Sequence, residues 1–169
     1  DGDTIIALSS SGPHSNGYSL IRKILNECNT DINSPFLHSS IGKILMKPTK
    51  IYVKSILNLK EIVDIKGIAH ITGGGLTENI PRILPANTHA NIILKSWNVP
   101  EIFKWIQMHG NVDQQEMYKT FNCGVGLVII IPNNQVETAL KILSENNENA
   151  WIIGNVKKNN NNKPSVNFI

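Results

Sequence analysis

Two segments of this chain repeat one design, in which an apolar run enters a loop of small and polar residues that opens into an amphipathic helix. The first runs from Thr4 to Leu8 and continues through Ser9-Ser10-Ser11-Gly12-Pro13-His14-Ser15-Asn16-Gly17. The second runs from Gly67 to Ile71 and continues through Thr72-Gly73-Gly74-Gly75-Leu76-Thr77-Glu78-Asn79. A strand that delivers a glycine-rich turn to a helix start aims unpaired backbone N–H groups and the positive end of the helix dipole outward, which suits an anion such as phosphate. Two such loops point to a phosphorylated ligand and commit the chain to alternating strands and helices.

The rest of the chain keeps that alternation. Ile21, Ile24, Leu25 and Cys28 recur at helical spacing and predict a helix over Gly17 to Cys28, with Ser15 or Asn16 available to cap it. Asn29 to Ser40 reads as a loop, and Ile41 to Leu45 as a short element stopped by Pro48. A helix over Lys50 to Ile62 and a strand over Lys66 to Ile71 follow, then a short helix over Leu76 to Leu84 despite Pro81. Ala90 to Leu94 is strand-like. Pro100 opens a helix whose stripe is Ile102, Phe103 and Ile106, since proline is tolerated in the first helical turn. A helix over Asp113 to Phe121 leads to Val125 to Ile131, which is β-branched and continuous enough for a buried strand. A helix over Gln135 to Asn146 and a strand over Trp151 to Val156 complete an α/β pattern with helices packed on a central sheet.

At 169 residues the chain supports one domain with one compact core. With 41% hydrophobic and 17% charged residues, disorder is expected only in the Asn-rich segment 157–165, read as flexible. The net charge of +3 is spread over isolated Lys and Arg residues with no interleaved aromatics, which speaks against a nucleic-acid partner. Cys28 and Cys123 suit free thiols in a reducing cytosol, and no apolar stretch reaches the roughly 20 residues that span a bilayer. A soluble cytoplasmic protein without membrane contact is expected. No initiator Met is present and the first strand begins almost at residue 4, which reads as a domain excised from a larger protein.

Pro13-His14-Ser15-Asn16-Gly17 gathers an imidazole, a hydroxyl and a carboxamide, groups that orient a phosphate, a ribose hydroxyl or an amide; His14 could also move a proton. The plainer alternative has Ser15 or Asn16 capping the helix while His14 lies exposed. Thr72-Gly73-Gly74-Gly75 lets backbone approach a ligand with no Cβ in the way, although a tight turn would use one such glycine too. Neither GxxxxGK[ST] nor GxGxxG is present. Arg82 could pair with a phosphate or lie on a solvated helix face. His70, inside an apolar run, reads as a satisfied core histidine, and no His or carboxylate pair has metal-ligand spacing.

In combination, several motifs closely resemble the C-terminal domain of aminoimidazole ribonucleotide synthetase, also called phosphoribosylformylglycinamidine cyclo-ligase. They are Gly2-Asp3, Ser10 to Leu20, Pro48 to Tyr52, Ala69 to Leu76, Glu78 to Arg82 and Glu116 to Gly126. The likeness runs in order from residue 2 to about residue 156, with Pro13 where Leu is usual, Cys123 where Met is common, and an unfamiliar tail from Lys157. The resemblance implies a three-layer α/β/α domain with a mixed sheet, residues 1–169 being the C-terminal domain of a two-domain enzyme. It implies ATP-dependent closure of the imidazole ring of formylglycinamidine ribonucleotide in purine biosynthesis. ATP and Mg²⁺ would sit mainly on an N-terminal domain that also forms a homodimer. On this chain it implies substrate contacts from Ser11, Gly12, His14, Ser15, Asn16, Thr72, Gly73, Gly74, Gly75 and Asn79, with His14 the catalytic candidate and no metal ligand. The competing expectation is a non-catalytic module of the same fold that binds a nucleotide or a partner protein.

Overall fold

The computed structural model describes residues 1–169. Its centre is a six-stranded sheet built from β1 (Thr4–Ser9), β4 (Gly67–His70), β5 (Thr88–Ile92), β6 (Val125–Ile131), β7 (Ala150–Lys158) and β8 (Ser165–Phe168). The strands lie in the order β4-β6-β1-β7-β5-β8. Four of the five pairings are antiparallel, and β8 alone lies parallel to its neighbour, β5. Neighbours in the sheet are distant in the chain, so connections carry the chain across both faces. A two-stranded ribbon, β2 (Pro35–Phe36) and β3 (Ser39–Ser40), stands apart within the segment expected to be a plain loop.

The alternation of side chains along a strand divides the core in two. From β1, Ile5 and Ala7 face a cluster of 26 buried residues formed with α1 (Tyr18–Glu27), α2 (Ile41–Leu45), α4 (Gly75–Asn79), α5 (Glu101–His109) and α6 (Gln114–Thr120). Ile6 and Leu8 face a smaller cluster of 11, shared with α3 (Val53–Lys60) and α7 (Val136–Glu145). Helices on both sides of one sheet give the expected three layers. All seven residues of β6 are buried, as its continuous β-branched run requires. Each fully buried Ile or Leu of β1 and β6 contributes about 1.5–3 kcal/mol relative to exposure.

Several boundaries differ from the sequence expectation, each for a local reason. The cap of α1 is Gly17 in the left-handed region (φ 74°), with no side-chain cap, so neither Ser15 nor Asn16 fills that role. The helix expected over Leu76 to Leu84 ends at Asn79 and resumes as a 3-10 turn, Pro81–Ile83, because Pro81 has no N–H to donate to the preceding turn. Residues 50–52 stay outside α3, held by the first loop. Ile41 to Leu45 is helical, and Ser40 accepts the Lys43 N–H at 3.4 Å. In the Asn-rich segment, Lys157 and Lys158 extend β7, Asn159 donates to the Thr88 carbonyl at 2.9 Å, and Ser165 opens β8.

Candidate functional site

The first loop leaves the end of β1 and doubles back under strain. His14 and Ser15 both take positive φ (53° and 61°) before Gly17, conformations that cost a non-glycine residue about 1–2 kcal/mol each. Asn122, only 1% exposed, supports this geometry from below. Its Nδ2 donates to the Gly12 carbonyl at 2.8 Å, while its Oδ1 accepts from Ser10 Oγ at 3.0 Å and from the Gly124 N–H at 2.8 Å. Asn16 Nδ2 donates to the His14 carbonyl at 2.7 Å, and Ser15 is exposed at the tip.

His14 is buried, not exposed. Its Nε2 lies 3.0 Å from the Ser11 N–H and 3.3 Å from the Lys50 N–H, while Nδ1 is buried with no partner. Burial, then the neighbouring His70 and Lys50, lower its pKa from 6.5 to about 4. The segment 48–52 is bound to the loop at two further points: Ser11 Oγ donates to the Pro48 carbonyl at 2.6 Å, and Tyr52 Oη donates to the Ser9 carbonyl at 2.8 Å. Burial, then Glu148, raises the Tyr52 phenol well above its ordinary value, so it stays a neutral donor. Glu148 itself is buried; its carboxylate meets Lys50 Nζ at 2.7 Å and accepts from Ser55 Oγ at 2.7 Å.

The glycine loop lies beside the first loop. The direction in which Gly73 would carry a Cβ is open but for Asn16 Oδ1 at 3.6 Å. The three glycines have different reasons to be there. Gly73 is exposed to an approaching group; Gly74 needs φ 97°; and a Cβ on Gly75 would overlap the Tyr118 carbonyl. The helix behind them, α4, is five residues long, so it offers far less dipole than the sequence suggested. Asn79 faces inward, donating from Nδ2 to the carbonyls of Gly75 (2.8 Å), Gly73 (3.2 Å) and Thr72 (3.4 Å), and accepting from Arg82 at 3.2 Å. It shapes the loop from within, with Thr72 Oγ1 at 3.4 Å from its Oδ1.

The sequence placed Lys50, Tyr52 and Asn122 within motifs of the resemblance but gave them no role, and did not single out Glu148; their roles arise only from contacts with residues far along the chain. Gly126 within an apolar strand was a further local signal, since an isolated strand glycine often marks a close approach. A Cβ there would overlap Tyr52 Oη and stand 2.7 Å from His14 Cε1. His70 is exposed at the end of β4, not a core histidine, with its ring centroid 6.0 Å from that of His14 and 6.1 Å from that of Tyr52. Strand alternation accounts for the difference: Ala69 and Ile71 turn into the core, and His70 turns out. No group of three or more His, Cys, Asp or Glu is placed to hold a metal ion, and no helix is long and apolar enough to cross a membrane.

A family model described as the AIR synthase related protein, C-terminal domain, matches residues 1–167. The chain belongs to this family. Among solved structures, thiamine-monophosphate kinase from Stenotrophomonas maltophilia K279a superposes on the AIR synthase related domain with TM-score 0.63 at 13% identity, over 98% of this chain and 50% of the kinase. Hydrogenase maturation protein HypE from E. coli gives TM-score 0.62 at 17% identity, over 99% of this chain and 46% of HypE. A HypE structure in complex with ATP gives 0.62 at 18% identity, over 99% and 48%. These likenesses establish a shared fold, and the domain spans about half the length of the proteins it matches.

Proposed function

We propose that this domain is the substrate side of an ATP-dependent cyclo-ligase that closes the imidazole ring of formylglycinamidine ribonucleotide to give aminoimidazole ribonucleotide. The observation that carries the reading is the meeting of the two loops, Asn16 against Gly73, beside the His14, Tyr52 and His70 rings. Taken one at a time these loops occur in many folds. Their combination with the Pro48 to Tyr52 and Glu116 to Gly126 motifs is what sets the cyclo-ligase apart from other users of the fold.

In the reaction, the formyl amide oxygen attacks the γ-phosphorus of ATP and ADP departs. An amidine nitrogen then attacks the activated formyl carbon, a proton is lost, and phosphate leaves with the former amide oxygen. The residues of this domain bind and orient the substrate: open backbone at Gly73, the Asn16 carboxamide and the Ser15 hydroxyl are the polar groups a phosphate or ribose would meet. ATP would be held chiefly by a second, N-terminal domain. The residues here do not fit a Mg²⁺ ion, so no step is assigned to a metal on this chain.

The test is production of aminoimidazole ribonucleotide, first by the 169-residue chain and then by the chain joined to an N-terminal ATP-binding domain. The chain alone should be inactive and the joined protein active. Turnover by the chain alone overturns the shared site, and failure of the joined protein overturns the cyclo-ligase assignment.

A further inference from the structure

Two imidazoles stand in this site with ring centroids 6.0 Å apart and planes tilted by 56°. His14 is 3% exposed, and its Nε2 is approached by the backbone N–H groups of Ser11 and Lys50. A backbone N–H only donates, so Nε2 must present its lone pair and the ring proton must sit on Nδ1. That arrangement joins residues 11–14 to residues 48–52, alongside the Ser11–Pro48 and Tyr52–Ser9 hydrogen bonds. With Nδ1 buried as well, neither nitrogen of His14 is available to a ligand.

His70 has the opposite properties. It is exposed, its ring makes no hydrogen bond within the protein, and it lies two residues before Thr72 and three before the open backbone of Gly73. Its ring centroid lies 6.1 Å from that of Tyr52, a neutral phenol, and the Glu148 carboxylate that acts on Tyr52 is already engaged by Lys50 and Ser55, so no free carboxylate there opposes an anionic oxygen.

We propose that the two histidines divide the work: His14 is a positioning residue that fixes the loop through Nε2, and His70 is the imidazole that donates a hydrogen bond to an anionic oxygen of the phosphorylated substrate. This assignment deepens the cyclo-ligase reading and rests on it for the identity of the substrate. It moves the catalytic role from His14 to a residue whose setting in an apolar run suggested burial.

The experiment has two arms. In the first, nitrogen NMR of the histidine rings is recorded on the full chain during titration with ribose 5-phosphate. His14 should remain in the single form protonated at Nδ1 as pH falls through 6.5 toward its lowered value of about 4, and the sugar phosphate should shift the ring signals of His70 and not those of His14. A mixture of His14 ring forms, or ligand shifts confined to His14, overturns the proposal. In the second arm, on the two-domain enzyme, His70→Ala should lower kcat/KM by about 10- to 100-fold at unchanged Tm, with part of the loss restored by His70→Asn, which keeps an N–H donor. His14→Ala should lower Tm together with activity. Wild-type kinetics in His70→Ala, or an intact Tm with lost kcat in His14→Ala, overturns the division. If the wild-type two-domain enzyme itself does not turn over, the cyclo-ligase assignment falls, and the NMR arm alone decides between the histidines.

Discussion

Gly126→Ala adds one methyl group at the floor of the site, and the structure states what that methyl meets. It would overlap Tyr52 Oη and stand 2.7 Å from His14 Cε1, both on buried side chains with little room to retreat. Overpacking of this kind costs about 1–3 kcal/mol. Displacing Tyr52 also breaks its hydrogen bond to the Ser9 carbonyl, 2.8 Å in the native protein, for about another 0.5–1.5 kcal/mol. The sum is about 1.5–4.5 kcal/mol, which for a chain of this size lowers Tm by roughly 3–18 °C. Thermal melts followed by circular dichroism measure it. Tyr52→Phe, which removes the colliding oxygen, should offset part of the loss, so the double variant falls short of additivity by about 0.5–3 kcal/mol. A Gly126→Ala variant that melts with the wild type, or a double variant that is simply additive, would refute the packing of Tyr52 and His14 over this strand.

Other outcomes follow from the same geometry. His14 has a folded pKa of about 4 against 6.5 unfolded, so below pH 6.5 the unfolded chain binds a proton that the folded one refuses. Stability is full above pH 6.5 and falls by up to about 3 kcal/mol as pH drops toward 4; urea melts across this window should show the slope, and His14→Gln should flatten it. Glu148→Gln removes the charge paired with Lys50, whose side chain is 27% exposed, and should cost about 1–3 kcal/mol in urea denaturation, below the range of a fully buried pair. Gly74→Val forces a β-branched residue to φ 97° with its Cβ against Glu78, so Tm should fall along with any sugar-phosphate affinity, the melting loss being about 1–3 kcal/mol. An unchanged melt for Gly74→Val would mean that the loop adopts another conformation.

Much of the fold was legible in the residues because period and burial are local properties. The continuous run Val125 to Ile131 marks a strand buried on both faces, and the stripes of α1, α5 and α7 are visible as spacing. The two polar loops were legible as well, since small residues between a strand and a helix have few other uses. Their placement side by side was not, nor was the antiparallel pairing of strands that alternate with helices along the chain. Helix caps misled for a related reason: Ser15 and Asn16 have the chemistry of a cap, but the positive φ of residues 14 and 15 carries them past it and leaves the role to Gly17.

The sequence by itself determined which residues would be apolar, where most of the longer strands and helices would run, and which two loops would carry polar groups. Only the tertiary structure decided what each polar group faces. His14 is buried because residues 48–52 close over it, Lys50 donating its backbone N–H, and His70 is exposed because it alternates outward between Ala69 and Ile71. Glu148 and Asn122 act on loops 98 and 110 residues away in the chain, through contacts to Lys50 and Gly12 that no spacing encodes. Burial and partnership of a polar side chain are set by long-range packing, and that packing gives otherwise similar imidazoles different chemistry.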